Sequence, residues 1–255
     1  MARAGSALLG LFAAVMILLM LLYGGYSLWD TAMVYRGSYL SDDLLKFKPT
    51  DAGEGEGNPT LGELCAWNED VRGWLTIDDT HIDYPVVQGE NDMEYVNKDV
   101  YGEFALSGSI FLSCMNSPDF SDGYNLVYGH HMDNGGMFGD VVEFVDKAYF
   151  DSHRTGTLFL PDHTYGTTLF ACVETDASDT AIFRPQDQKA GNISALLEYL
   201  QKNAVQYRDV GVTGSDRVIG LSTCAEAETN GRVIVFGRLD SVERTQEGGV
   251  TEGHE

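Results

Sequence analysis

From residue 71 onward the chain is built of short runs rich in Val, Ile, Thr and aromatic residues, separated by Gly, Pro, Asn and Asp. Branched and aromatic side chains suit a pleated, half-buried surface, and the residues between them suit turns. Residues 71–127 divide into several such strands, and 155–160, 165–173, 218–222 and 232–239 each read as one. Pro161-Asp162-His163-Thr164 joins the strand pair at 155–173. Helical spacing is confined to two stretches of this region. Phe138, Val141, Val142, Val145 and Tyr149 predict one amphipathic helix, and Ile193, Leu196, Leu197 and Leu200 predict another over 192–203. The capping pattern Thr60-x-x-Glu63 opens a short helix through Trp67. Strands outnumber helices and no βαβ alternation occurs. The expected fold is therefore mainly β, a closed or nearly closed barrel with peripheral α-helices.

Ahead of this region, residues 4–29 contain no charge, and the most apolar part is 8–23. Such a run is long enough to cross a hydrocarbon core of ~30 Å at 1.5 Å per residue. Arg3 precedes it and Asp30 follows it, which by the positive-inside rule puts the N-terminus in the cytoplasm and the rest outside. The rival reading is a cleaved signal peptide. Its apolar region would be long against the usual ~7–15 residues, and Gly25-Tyr26-Ser27 is a weak small-x-small cleavage site. The expected organisation is a short cytoplasmic segment (1–5), an uncleaved transmembrane anchor (6–29), a stalk with an acidic Gly-rich flexible linker (30–59), a folded domain (60–240) and a disordered tail (241–255).

The formal net charge is −23 and the isoelectric point about 4.4. Such a surface repels phosphate backbones, which argues against nucleic acid as a partner, and it favours the solubility of an exported domain. Cys65, Cys114, Cys172 and Cys224 are the four cysteines, and their spacing has no metal-ligand pattern, so neither metal nor cofactor is expected. Cys172, inside Leu169-Phe170-Ala171-Cys172-Val173, reads as a small core residue. Four cysteines in an exported chain invite disulfides. With Cys224 as nucleophile the other three cannot all pair, so Cys65 and Cys114 are open to a bridge or to free, buried thiols.

Cys224 differs from the other three. It ends the run Leu221-Ser222-Thr223-Cys224, is followed by a polar loop with Glu226 and Glu228, and is answered eight positions later by Arg232 at the start of the next strand. Thiol acyl transfer needs a nucleophile, a cation near the developing oxyanion and an acid/base. Asn125-Leu126-Val127-Tyr128-Gly129-His130-His131-Met132 offers the last. Two adjacent histidines on an extended backbone point to opposite faces, so one of them alone can face Cys224. Arg238 shares a face with Arg232 but lies ~20 Å further along the strand.

These motifs resemble the sortases, which attach surface proteins to the cell wall of Gram-positive bacteria. Cys224 after Leu-Ser-Thr, His130 after Tyr-Gly and Arg232 after Gly match the family's cysteine, histidine and arginine. Gly73-Trp74-Leu75-Thr76-Ile77, Ile82-Asp83-Tyr84-Pro85-Val86-Val87-Gln88 and Gly108-Ser109-Ile110-Phe111-Leu112 look like its early strands. Gly135-Gly136-Met137-Phe138-Gly139-Asp140 looks like the class B branch in particular. The likeness spans residues 60–240. It departs at Ala225, where class B members often have an acidic residue, and at His131, where many have asparagine.

The resemblance implies an eight-stranded sortase barrel with class B helices, and a membrane-anchored cysteine transpeptidase. Cys224 would cleave a C-terminal sorting signal of Asn-Pro-x-Thr type after its threonine, forming a thioester. An amine of a cell-wall precursor, or alternatively a pilin lysine, would resolve it. His130 would serve as acid and base, Arg232 at the oxyanion, and Ser222 and Thr223 in substrate contacts. A cysteine endopeptidase with water as acceptor shares the same site, and a non-enzymatic surface module with a structural Cys224 is the third reading.

Overall fold

The computed structural model describes residues 2–36, 39, 41–49, 58–188, 191–224 and 230–242. The acidic linker around 51–57, the Glu226 and Glu228 positions and the tail beyond 242 lie outside the described residues.

Helix α1 (Ala2–Arg36) is continuous, and its segment Leu9–Met33 is long and apolar enough to cross a membrane. A short helix α2 (Asp42–Leu45) and Phe47 lead toward the domain, where Leu44 and Phe47 are buried. Helix α3 (Pro59–Trp67) ends where the sequence predicts but starts differently. Asn58, not Thr60, is the N-cap residue, with Pro59 in the first turn, where its missing N–H costs nothing. The Asn58 side chain turns away from the helix and donates to the carbonyl of Leu160 at 2.6 Å. The expected capping box is thus replaced by a tie between the helix start and Leu160, 102 residues further along the chain.

Nine strands follow among the described residues: β1 (Val71–Ile77), β2 (Asp83–Val87), β3 (Ile110–Leu112), β4 (Tyr124–His130), β5 (Thr155–Phe159), β6 (Thr164–Asp176), β7 (Gln206–Tyr207), β8 (Arg217–Cys224) and β9 (Gly231–Ser241). Their order is β5-β1-β2-β3-β4-β8-β9-β6, and pairing of β5 with β6 closes the ring. This is the expected closed eight-stranded barrel. The two-residue β7 adds a ninth strand outside the ring, on the edge of β6. The β2–β3 and β4–β8 pairs are parallel, and the other pairs are antiparallel. Pairing continues past residue 240: β9 reaches Ser241, and the Val242 N–H donates to Thr164.

Alternation along the strands sorts the apolar side chains into separate cores. All eight ring strands send residues into the lumen, among them Leu75, Val86, Ile110, Val127, Leu158, Cys172, Leu221 and Val235. Outside, Leu126, Val218, Ile234 and Phe236 pack beneath helix α5 (Ser194–Asn203) through Leu196, Leu197 and Leu200. Each fully buried leucine is worth about 1.5–3 kcal/mol, which holds α5 on the barrel. A third cluster joins Trp74, Val87 and Phe111 to Leu61 and Leu64 of α3.

The single helix expected over residues 138–149 is two pieces. A 3-10 segment, Gly139–Val145, is followed by a break at Asp146 and then by α4 (Lys147–Ser152). Asp146 has an extended ψ of 130° and its carboxylate accepts the Tyr149 N–H, so it caps a new helix rather than continuing the old one. Val141 and Phe144 still reach the lumen core, which explains why their spacing read as a helix.

Candidate active site

β4 ends at His130, β8 ends at Cys224, and β9 has Arg232 as its second residue. His130 pairs with Cys224, Cys224 with Arg232, and Arg232 with Thr175 of β6. The three expected site positions therefore occupy one row across adjacent strands, where neighbours stand ~4.8 Å apart. The row lies on the outside of the barrel. Tyr128, two residues before His130, and Ile234, two residues after Arg232, both belong to the outer core.

The Tyr-Gly-His sequence has a steric reason. A Cβ on Gly129 would lie 2.4 Å from Ile110 Cδ1 and 2.7 Å from Phe138, so only glycine lets the strand end settle on these side chains. The Phe138 N–H then closes onto the His130 carbonyl at 2.9 Å. The His130 ring is half-buried, and its Nε2 sits 2.8 Å from the main-chain oxygen of Val96. His131 is turned elsewhere. It bridges to Met137, its Nε2 lies 3.4 Å from an exposed Asp133 carboxylate oxygen, and its Nδ1 is buried.

Arg232 is half-buried and donates from Nη1 to the Gly231 carbonyl at 2.8 Å, among other contacts. Hydrogen bonds from Ser178, with a smaller contribution from Arg232, hold the Asp176 carboxyl below its ordinary range. Arg238 is not in the row. It pairs in register with Thr168 and Val218, donates to the Val210 carbonyl at 2.6 Å and bonds Asp240 at 3.0 Å. Ser222 and Thr223 are both fully buried. Among the described residues the Ser222 hydroxyl has no hydrogen-bond partner, and Thr223 pairs with Gly129 and Val233.

The wall beside the row comes from residues that no periodicity reveals. After β6 the chain turns through Asp179, and Phe183 stacks on Tyr128 with ring centroids 6.4 Å apart and planes 10° from parallel. Phe111 packs on Tyr128 at 5.3 Å. The other cysteines are remote from this chemistry. Cys65, Cys114 and Cys172 are free, and burial pushes each thiol up, that of Cys172 to about 12. Among the described residues no three His, Cys, Asp or Glu side chains converge as a metal site.

A row of thiol, imidazole and guanidinium positions is suited to acyl transfer, since nucleophile, proton carrier and oxyanion donor can meet one carbonyl. No family model matches the chain. The sortase B of Listeria monocytogenes serovar 1/2a is 33% identical over 187 residues, which is 72% of this chain and 76% of that protein. A Streptococcus pyogenes class B sortase involved in pilus biogenesis has a similar structure, with 41% identity and a TM-score of 0.65 over 71% of this chain and 97% of that one. The Staphylococcus aureus sortase B–substrate complex aligns with 27% identity and a TM-score of 0.68, over 74% of this chain and 88% of that one.

Proposed function

The chain belongs to the class B sortases, which are cysteine transpeptidases, and from that premise we propose that Cys224, His130 and Arg232 carry its reaction. The observation that supports these roles is the single register row His130–Cys224–Arg232. Cys224 adds as thiolate to the main-chain carbonyl of the threonine in a sorting signal. His130 protonates the leaving amine as the peptide C–N bond breaks, leaving a thioester. The acceptor amine then adds, His130 takes its proton, and the C–S bond breaks to free the thiol. Arg232 donates to the oxygen that becomes negative in each tetrahedral intermediate, where a planar fork of donors outperforms a point charge.

The sorting signal is of Asn-Pro-x-Thr type and runs along the outer face beside Tyr128 and Phe183. Ser222 lies under this path, and its hydroxyl, without a hydrogen-bond partner among the described residues, supports a contact there; Thr223 alternates toward the lumen beside Val233 and offers its main chain. The apolar helix α1 anchors the enzyme in the cell membrane as a single pass, N-terminus inside and barrel outside, next to membrane-bound substrates. The acceptor is the amine of a cell-wall precursor. A second reading, in which the acceptor is a pilin lysine, is favoured by the higher identity to the pilus-associated sortase, 41%, than to the Staphylococcus enzyme, 27%.

Intact-mass measurement tests this. The full chain incubated with an Asn-Pro-x-Thr peptide should gain an acyl adduct on Cys224 that disappears on adding an amine, while a Leu-Pro-x-Thr peptide should react poorly. A Cys224→Ala enzyme that still transfers would end the proposal. The bond in the native product, to a lysine Nε or to a cell-wall peptide amine, separates the two acceptors.

A further inference from the structure

The two nitrogens of an imidazole are not equivalent, and in His130 one is already engaged. Its Nε2 lies 2.8 Å from the Val96 carbonyl oxygen. A carbonyl only accepts, so the ring must hold a proton at Nε2, and in the neutral ring Nδ1 then carries the lone pair.

The carbonyl is well fixed. Val96 lies in the connection between β2 and β3, and β3 borders β4 on the edge opposite β8. The loop folds back on itself: Ser109 N–H donates to the Tyr95 carbonyl at 3.0 Å, the Ser109 hydroxyl to the Lys98 carbonyl at 2.8 Å, and Ala105 N–H to the Asn97 carbonyl at 3.1 Å. At its crossing stands Gly108, with φ +59°. A Cβ there would lie 2.3 Å from the Val96 oxygen and 2.8 Å from the Tyr95 oxygen. Glycine is required both by the backbone angle and by the carbonyl that occupies the space.

We infer that the Val96 carbonyl is the positioning group for His130, fixing its Nε2–H tautomer and so assigning Nδ1 as the nitrogen that exchanges protons during acyl transfer; this rests on the role proposed for His130. The neutral ring takes the thiol proton at Nδ1, giving imidazolium and thiolate. The same Nδ1–H passes to the leaving amine as the C–N bond breaks, and Nδ1 later accepts a proton from the incoming amine. Nε2–H stays on Val96 throughout, and that hydrogen bond strengthens whenever the ring is charged. A main-chain oxygen here performs the orienting task that a buried aspartate performs in serine protease triads.

Nitrogen-15 NMR of the full chain in detergent, labelled at histidine, tests the tautomer without altering the protein. The His130 signals are assigned by their loss in His130→Gln. At alkaline pH the expected pattern is a protonated Nε2 and a bare Nδ1. The reverse pattern, or an even mixture, would overturn the inference. Replacing Asn97 by its α-hydroxy acid turns the Val96 carbonyl into a weaker ester acceptor while keeping every side chain. It should lower kcat ~5-fold with KM little changed, as the weakening of one hydrogen bond predicts. An unchanged kcat would remove the positioning role. An active His130→Gln enzyme would instead refute the proposed role of His130 itself.

Discussion

Thr175, the β6 partner of Arg232, donates its hydroxyl to Asp179 at 2.7 Å. The same carboxylate oxygen accepts the Tyr199 hydroxyl from α5, and the other oxygen accepts the Ala181 N–H at 3.0 Å. This knot ties the segment bearing Phe183 to the strand beside the site. Burial works against the charged carboxyl, but the hydrogen bonds from Tyr199, Thr175 and the backbone outweigh it and hold Asp179 below the usual range. The stabilisation it contributes is therefore complete above the unfolded value of about 3.9 and is lost as pH falls through the lower folded value. Asp179→Asn cannot accept as many donors. Its KM for the sorting peptide should rise roughly 3–10-fold with kcat nearly intact, the scale of one or two lost hydrogen bonds. Steady-state kinetics read this directly, and an unchanged KM would mean the Phe183 wall stands without the knot.

The two arginines of β9 should separate by readout. Arg232→Ala should cost ~10²–10³-fold in turnover, as removal of an oxyanion donor does, and Arg232→Lys should recover part of that loss. Arg238→Lys should leave turnover alone. It gives up well-formed bonds to Val210 and Asp240, so a loss of about 1 kcal/mol and a Tm lower by ~2–4 °C are expected. Turnover and melting temperature measured on the same preparations check both halves.

For the adjacent histidines the expectation is a loss of ~10²–10⁴-fold in His130→Ala and a much smaller one in His131→Ala. His130 shares the row with Cys224, whereas His131 bridges to Met137 and lies beside Asp133 in the loop that follows it. The opposite order in single-turnover rates would exchange their roles.

Burial makes three of the four thiols poor nucleophiles near neutrality, Cys172 most of all with its value pushed up to about 12. Brief treatment with iodoacetamide at pH 7.5 should alkylate Cys224 and leave Cys65, Cys114 and Cys172 unmodified in peptide mapping. Cys172→Ala should keep activity while losing about 1–2 kcal/mol in chemical denaturation, because its sulfur fills part of the lumen core.

Much of this site was legible in the sequence because its strands are regular. Cys224 and Arg232 face each other across an antiparallel pair joined by a short polar loop, and such a pairing follows from position alone. The parallel pairing of His130 with Cys224 links strands far apart in the chain, and periodicity carries no trace of it; the motif resemblance supplied that link. Val96 and Asp179 stand in irregular segments, held by carbonyls and hydroxyls rather than by alternating burial, so no pattern marked them. The 139–152 region misled for the opposite reason. Its apolar spacing was helical, but Asp146 was better satisfied as a cap than as a helix interior residue.

The parallel contact between β4 and β8 also bears on when the enzyme becomes an enzyme. Its residues are about ninety positions apart, and no hairpin can bring them together. Closing so long a loop costs more entropy than closing the short connections of β5–β6 and β8–β9, so those local pairs are expected to form first. Cys224 and Arg232 would then meet in a half-folded chain, and His130 would join them once β4 docks on β8. A chain still folding would carry its thiol without the histidine proposed as its proton carrier, and competence to cut would wait on that one contact.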